Sequence, residues 1–209
     1  MKAFDIITEA DARGLEIGSS VTLTAGGHVT PLAADTLKAR RVTVHSGVAE
    51  ASLDGLAPVA TVRSLAIGSD HGGVALKAAL RDYLRQKGVS VLDVGTDGPE
   101  AVDYPDIAAQ AARLVARKEV DAAIVIDGAG LGSASAANKI DGVRAAMCND
   151  KTLARYAREH NGANVLTLGA TLISVDEAKA IVDTWLGTPM GEARYLRRLA
   201  KIRSLEKTQ

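Results

Sequence analysis

The chain has 209 residues, 47% hydrophobic and 24% charged, enough for one large domain or one domain with an appendage. Lys plus Arg and Asp plus Glu balance at 25 each, which excludes a global field that recruits nucleic acid or an anionic membrane. A single cysteine, Cys148, excludes an internal disulfide framework; with no apolar run near the ~20 residues of a membrane span, a cytoplasmic protein is expected.

Residues 1–60 differ in character from the rest. Val21-Thr22-Leu23-Thr24 reads as a short strand and Ala25-Gly26-Gly27-His28 as a turn. Thr30 and Pro31 read as the cap and first position of a helix that reaches Arg40, and Arg41 to Val44 as another strand. Gly47 to Arg63, rich in Ala, Gly, Ser and Pro, reads as a linker. The segment is expected to bury too little apolar surface to fold alone, and so to be an appendage to a main domain over 61–209.

From Ser64 the pattern is regular. Strands are expected at 65–68, 89–94, 121–126, 143–147 and 165–168. Helices are expected at 74–87, from 105 to about 118, opening at 134–139, and at 152–161, 176–186 and 191–206. This alternation predicts an α/β fold with a doubly wound, parallel, five-stranded sheet, a Rossmann-like three-layer sandwich.

The stretch from Ile124 to Lys139 organises the reading. A strand apolar on both faces ends in Asp127, followed by Gly128, Gly130 and Gly132 at alternating positions and then a small-residue helix start. Such a turn makes a concave set of backbone N–H groups suited to an anion, at the strand ends where open α/β sheets bind ligands. The spacing is neither the dinucleotide fingerprint nor a P-loop, and taken alone it serves tight packing as readily as a ligand. Asp70, His71, Gly72 and Gly73 follow another strand; there Asp70 reads either as chemistry or as a helix cap, and His71 as a ligand contact or a solvated residue. Tyr104 stands at a helix entry. His160 and Asn161 lie at a helix end, and Arg194 and Arg198 share one helical face, converging on an anion or simply solvated. Cys148 reads as a buried small hydrophobe, and the four histidines show no metal-ligand spacing, so neither metal nor cofactor is expected.

Six motifs in order carry a resemblance: Gly68-Ser69-Asp70-His71-Gly72-Gly73, Asp103-Tyr104-Pro105, Gly128-x-Gly130-x-Gly132, Ala136-Ala137-Asn138-Lys139, Ala157 to Asn161, and Arg194-x-x-x-Arg198. Over about 65–202 the chain resembles the type B ribose-5-phosphate isomerase family, which includes the galactose-6-phosphate isomerase subunits. The resemblance implies metal-free interconversion of aldose and ketose phosphates through a cis-enediolate. It makes His160, helped by Asp70, the group that moves the proton in ring opening. It gives His71, Arg194 and Arg198 to the phosphate, Gly128 and Gly132 to the enediolate oxygens, and Tyr104 and Asn161 to the sugar pocket. It also implies a homodimer or homotetramer with active sites shared between subunits.

The departures bear on the chemistry. Many relatives carry a cysteine base at the position of Asp127, and others a glutamate six residues later, here Ser133. A carboxylate at 127 serves as the base if burial raises its pKa; otherwise it disables the site or suits another substrate. Ala129 and Ala134 replace hydroxyl residues, and Thr171 stands where an arginine is common, which implies an altered substrate or slower turnover. A catalytically silent sugar-phosphate binder and a scaffold subunit are the competing readings. The motifs Ile7 to Asp11 and Val29 to Ala33 resemble leader segments of bacterial microcompartment enzymes, such as corrinoid adenosyltransferases of ethanolamine use. Residues 1–60 are thus expected either to dock in a microcompartment or to extend a dimer interface.

Overall fold

The first strand, β1 (Lys2–Ile7), leads into Thr8, which caps helix α1 (Glu9–Gly14) reciprocally. The Thr8 hydroxyl accepts from the Asp11 N–H, while the Asp11 carboxylate accepts from the Thr8 N–H at 3.0 Å. Strand β2 (Ser20–Val29), helix α2 (Pro31–Ala39) and strand β3 (Thr43–Gly47) follow, and the strands pair in parallel in the order β1-β2-β3. In this computed structural model residues 2–47, 55–190 and 192–206 are described. Two compact units result, residues 1–52 and 53–209.

The first unit corrects three expectations. Its Ile7, Ala12, Leu15, Val21, Leu23, Ala33, Leu37 and Val42 are all buried together, so the segment has a core of its own. The glycines at 26 and 27 do not turn the chain between elements. They lie inside β2, in a bulge that moves the pairing from Phe4–Leu23 to Ile6–His28. A Cβ on Gly27 would lie 2.7 Å from the Asp5 carbonyl oxygen, so only glycine lets the strand return to register there. Thr30 holds the cap position of α2 but makes no side-chain cap bond.

The second unit contains β4 (Ser64–Ser69), α3 (Val74–Gln86), β5 (Ser90–Asp93), α4 (Tyr104–Ala116), β6 (Ala122–Asp127) and α5 (Leu131–Ala137). After these come β7 (Ala145–Met147), α6 (Lys151–Glu159), β8 (Val165–Gly169), α7 (Val175–Gly187) and α8 (Ala193–Leu205). The five strands form an all-parallel sheet in the order β5-β4-β6-β8-β7, the α/β doubly wound arrangement. Every residue of the central strand β6 is buried, as its uninterrupted apolar run requires. Ile124 and Ile126 face a core built with Leu76, Leu80, Leu84, Ile181 and Trp185. Ala123 and Val125 face the opposite core, where Ala108, Ala111 and Ala112 of α4 pack closely because their side chains are small.

The expected linker also needs revision. Residues 48–54 lie outside the described residues, but 55–63 are packed onto the second unit. Leu56 is buried, and its carbonyl accepts from Arg144 Nη2 at 2.7 Å. The Val59 carbonyl accepts from Arg158 Nη2 at 2.9 Å. Arg158 is itself buried under the Trp185 ring, 4.8 Å from its centroid, and burial pulls its guanidinium down to about 10, still charged at neutral pH.

Candidate functional site

Strands β4 and β6 are neighbours whose connections run in opposite directions across the sheet, so the crevice beyond their carboxyl ends is the switch point where such sheets bind ligands. Two loops meet there, joined by the Asp70 N–H donating to the Ile126 carbonyl at 3.2 Å. Asp70 closes a short 3₁₀ turn, His71–Gly73: its Oδ1 accepts from the N–H groups of Gly72 at 2.9 Å and Gly73 at 3.1 Å. The capping role is therefore real, and Oδ2 takes no part in it. His71 is exposed, and its Nδ1 accepts from the Val102 N–H at 3.4 Å.

Asp127 dominates the other loop. Oδ1 accepts from the Ala129 N–H at 2.8 Å and from the Gly130 N–H; Oδ2 accepts from the Ser133 N–H at 2.9 Å and the Ser133 hydroxyl at 2.5 Å. A carboxylate has about four acceptor positions, and all are engaged. Helix α5 therefore begins at Leu131, inside the glycine run, earlier than the expected Ala134. The rise in pKa on which a base at 127 is conditional is not found. Burial pushes the carboxyl up, but the bonds from Ser133, Gly130 and Ala129 outweigh it and hold Asp127 below the usual carboxylate range. In this arrangement Asp127 is a latch on its own turn, with no acceptor position left for a substrate proton.

The glycines differ in purpose. Gly130 has φ +77, and a Cβ there would lie 2.9 Å from the Leu168 carbonyl carbon, so both conformation and packing demand glycine. Gly132 lies flat under Tyr104: a Cβ would sit 2.5 Å from the ring's Cε2 and Cζ. Gly128 has nothing within 4 Å of a Cβ position, which leaves open space beside the turn. Thr171, 43 residues on, donates its hydroxyl to the Gly128 carbonyl at 2.6 Å and so braces this loop from β8.

The remaining candidates lie elsewhere. Helix α6 starts after the carboxyl end of β7 and runs back, leaving His160 at the edge where the strands begin. Over the register from Ala123–Val165 to Asp127–Gly169 the two edges are separated by roughly 13 Å of strand. His160 is stacked between Tyr156, with ring centroids 4.8 Å apart, and Tyr195 of α8, at 4.6 Å. Arg194 donates to the Tyr195 hydroxyl at 2.8 Å and pairs with Glu192 at 2.6 Å. The Arg198 guanidinium lies 5.8 Å from the Tyr195 ring centroid, and Asn161 is exposed beside His160. The candidates thus form two clusters on one chain: Asp70, His71, Tyr104, Asp127, Gly128, Gly130 and Gly132 at one sheet edge, and His160, Asn161, Arg194 and Arg198 at the other.

Tyr156 and Tyr195 were not singled out from the sequence, although Tyr156 stands four residues before His160, on the same helical face. Ser133 was read only as a missing glutamate. Lys77 was also missed: it is fully buried and bonds Asp93 and Asp97, each at 2.8 Å, which ties α3 to the loop leading to Tyr104. Cys148 is buried and its thiol is pushed up to about 12, so it is inert at neutral pH. Among the described residues no group of three or more His, Cys, Asp or Glu side chains is placed to hold a metal ion, and no helix is long and apolar enough to cross a membrane.

Comparison with known proteins adds the lineage. The family model described as Ribose/Galactose Isomerase matches residues 65–202. Ribose-5-phosphate isomerase B of Escherichia coli (strain K12) is 41% identical over 145 residues, which cover 69% of this chain and 97% of that protein. D-erythrulose-4-phosphate isomerase of Pectobacterium atrosepticum is 40% identical over 124 residues, 59% of this chain and 82% of that one. The solved structure of Clostridium thermocellum ribose-5-phosphate isomerase B superposes with a TM-score of 0.68 at 47% identity, covering 69% of this chain and 97% of its own.

Proposed function

Because this chain belongs to the ribose/galactose isomerase family, we propose that it interconverts an aldose phosphate and a ketose phosphate through a cis-enediolate, at a site completed by a second copy of itself. The observation that carries this reading is the division of the candidate residues between opposite edges of one sheet. Neither cluster suffices alone: one offers a carboxylate and loop amides but no unpaired cation, and the other offers Arg194, Arg198 and His160 but no turn of amides. A homodimer that sets one edge against the partner's other edge brings them together.

In such a site Arg194 and Arg198 of one subunit hold the phosphate. Arg194 must first leave Glu192, an exposed pair that solvent screens and that holds it only weakly. His160 moves the ring-opening proton beside Asp70, whose Oδ2 is outside its cap bonds. Asp127 does not draw on the N–H groups of Gly128 and Gly132, which serve the enediolate oxygens. Asp127 then carries the proton between C2 and C1, provided one of its four hydrogen bonds opens. The relatives named for ribose 5-phosphate and D-erythrulose 4-phosphate support a substrate of four or five carbons, and the galactose in the family's description extends the range to six.

The filled acceptor positions of Asp127 favour a second reading, a protein that grips a sugar phosphate and does not turn it over. A panel of four- to six-carbon aldose and ketose phosphates, followed by proton NMR in deuterated water, separates the two. Deuterium entering C1 or C2 of one substrate supports the isomerase; saturable binding with no label in any substrate leaves only the binder.

A further inference from the structure

Three of the four donors around Asp127 are backbone N–H groups held by the turn and by the start of α5. The fourth is the Ser133 hydroxyl, and it alone can leave by rotation about a single side-chain bond. Ser133 is fully buried, and its own N–H donates to the same oxygen, so its backbone stays in place whichever way the hydroxyl points. The titratable and charged groups on the elements around β6 and α5 include Asp70 and His71 after β4, Asp103, Tyr104, Asp106 and Arg113 on or before α4, Lys139 after α5, and Cys148 and Asp150 after β7. Among the described residues none of these hydrogen-bonds to the Asp127 carboxylate, whose partners are all supplied by Ala129, Gly130 and Ser133.

We propose that Ser133 is a positioning residue that limits the isomerisation rate, by occupying the acceptor position on Asp127 Oδ2 that the substrate proton needs. The inference rests on the isomerase reading above. With the hydroxyl turned away, the C2–H proton moves to Oδ2. Its bonding pair becomes the C1–C2 π bond, and the carbonyl π pair moves onto the C1 oxygen. Return of a proton from Oδ2 to C1, with the C2 hydroxyl proton passing to the C1 oxygen, completes the ketose. No oxidant or further reactant enters. Ser133 touches no substrate in this scheme. It sets how often, and with what proton affinity, Asp127 is available.

The test is Ser133→Ala in the full-length chain, with Ser133→Cys as a weaker donor that falls between. The readouts are kcat and KM over a pH series and direct carbon-13 NMR titration of the Asp127 carboxyl. Ser133→Ala is expected to raise kcat about threefold at unchanged KM and to move the acid limb of the pH–rate profile to higher pH, with the carboxyl titration moving the same way. A variant whose carboxyl titration moves while kcat and the acid limb stay put overturns the proposal, and so does a loss of rate that simply tracks a loss of stability in urea. If the wild-type chain turns over no sugar phosphate, the isomerase reading fails and this inference with it. Normal turnover with an unresponsive Ser133→Ala sinks this inference alone.

Discussion

The Ser133 hydroxyl donates to Oδ2 of Asp127 at 2.5 Å, and the Ser133 N–H donates to the same oxygen at 2.9 Å. By the resemblance drawn from the sequence, these are the two positions that hold the alternative bases in relatives. Here they are joined to each other. Asparagine at 127 would turn an N–H₂ group toward either the Ser133 donors or the Ala129 and Gly130 amides. Asp127→Asn is therefore expected to destabilise the fold by about 1–3 kcal/mol, measured by urea denaturation.

The same pair carries a pH signature. The Asp127 carboxyl is held below the usual range in the folded chain, because its hydrogen bonds outweigh desolvation. Its contribution is thus fully present above the unfolded value of about 3.9 and is lost as pH falls through the folded value. The stability gap between wild type and Asp127→Asn should stay constant from pH 7 to about 5 and narrow below about 4. A gap that does not change with pH would mean that the carboxyl titrates alike in both states.

Gly130 and Gly132 should respond differently to alanine. At Gly130 the φ of +77 and the nearby backbone of Leu168 leave nothing to yield, so Gly130→Ala is expected to cost about 2–3 kcal/mol. At Gly132 the obstacle is the Tyr104 ring, 40% exposed and able to swing outward. Gly132→Ala should cost under about 1 kcal/mol in stability, yet raise KM by displacing the pocket wall. Thermal melts and steady-state kinetics on both variants check the contrast.

Sharing of sites between subunits has a direct assay. Asp70→Asn keeps the cap but loses the charge at one edge, and Arg194→Ala with Arg198→Ala removes the cations at the other. Each variant alone should be nearly inactive. Unfolded and refolded together in equal amounts, they should regain about a quarter of wild-type activity, because half the dimers are mixed and each has one intact site. No recovery would confine each site to a single chain.

The boundary between the units is testable by truncation. Leu56 is buried, and the carbonyls of Leu56 and Val59 accept from Arg144 and Arg158. A chain starting at Leu53 should melt within a few degrees of the full-length protein. One starting at Thr61 should lose about 2–4 kcal/mol, from the vacated Leu56 site and the orphaned guanidinium donors.

The residues by themselves determined the architecture. The run from Ala122 to Ile126 is apolar at every position, which only a strand covered on both faces tolerates, and its neighbours alternate with helices at crossover spacing. The motifs at 68–73, 103–105 and 128–132 equally marked the turns that meet at the carboxyl edge of the sheet, because backbone turns of that kind depend on local residue type. Two matters were decided by the tertiary structure alone. Whether Asp127 is a base or a latch depends on the direction of four donors, and those directions are set by where α5 begins, which the small-residue run left open by three residues. That His160 and Arg194 stand at the far edge from Asp127 follows from the return path of α6 and the docking of Tyr195 on His160. Sequence spacing places residues along a strand or helix, but distance across a sheet arises only when the elements pack.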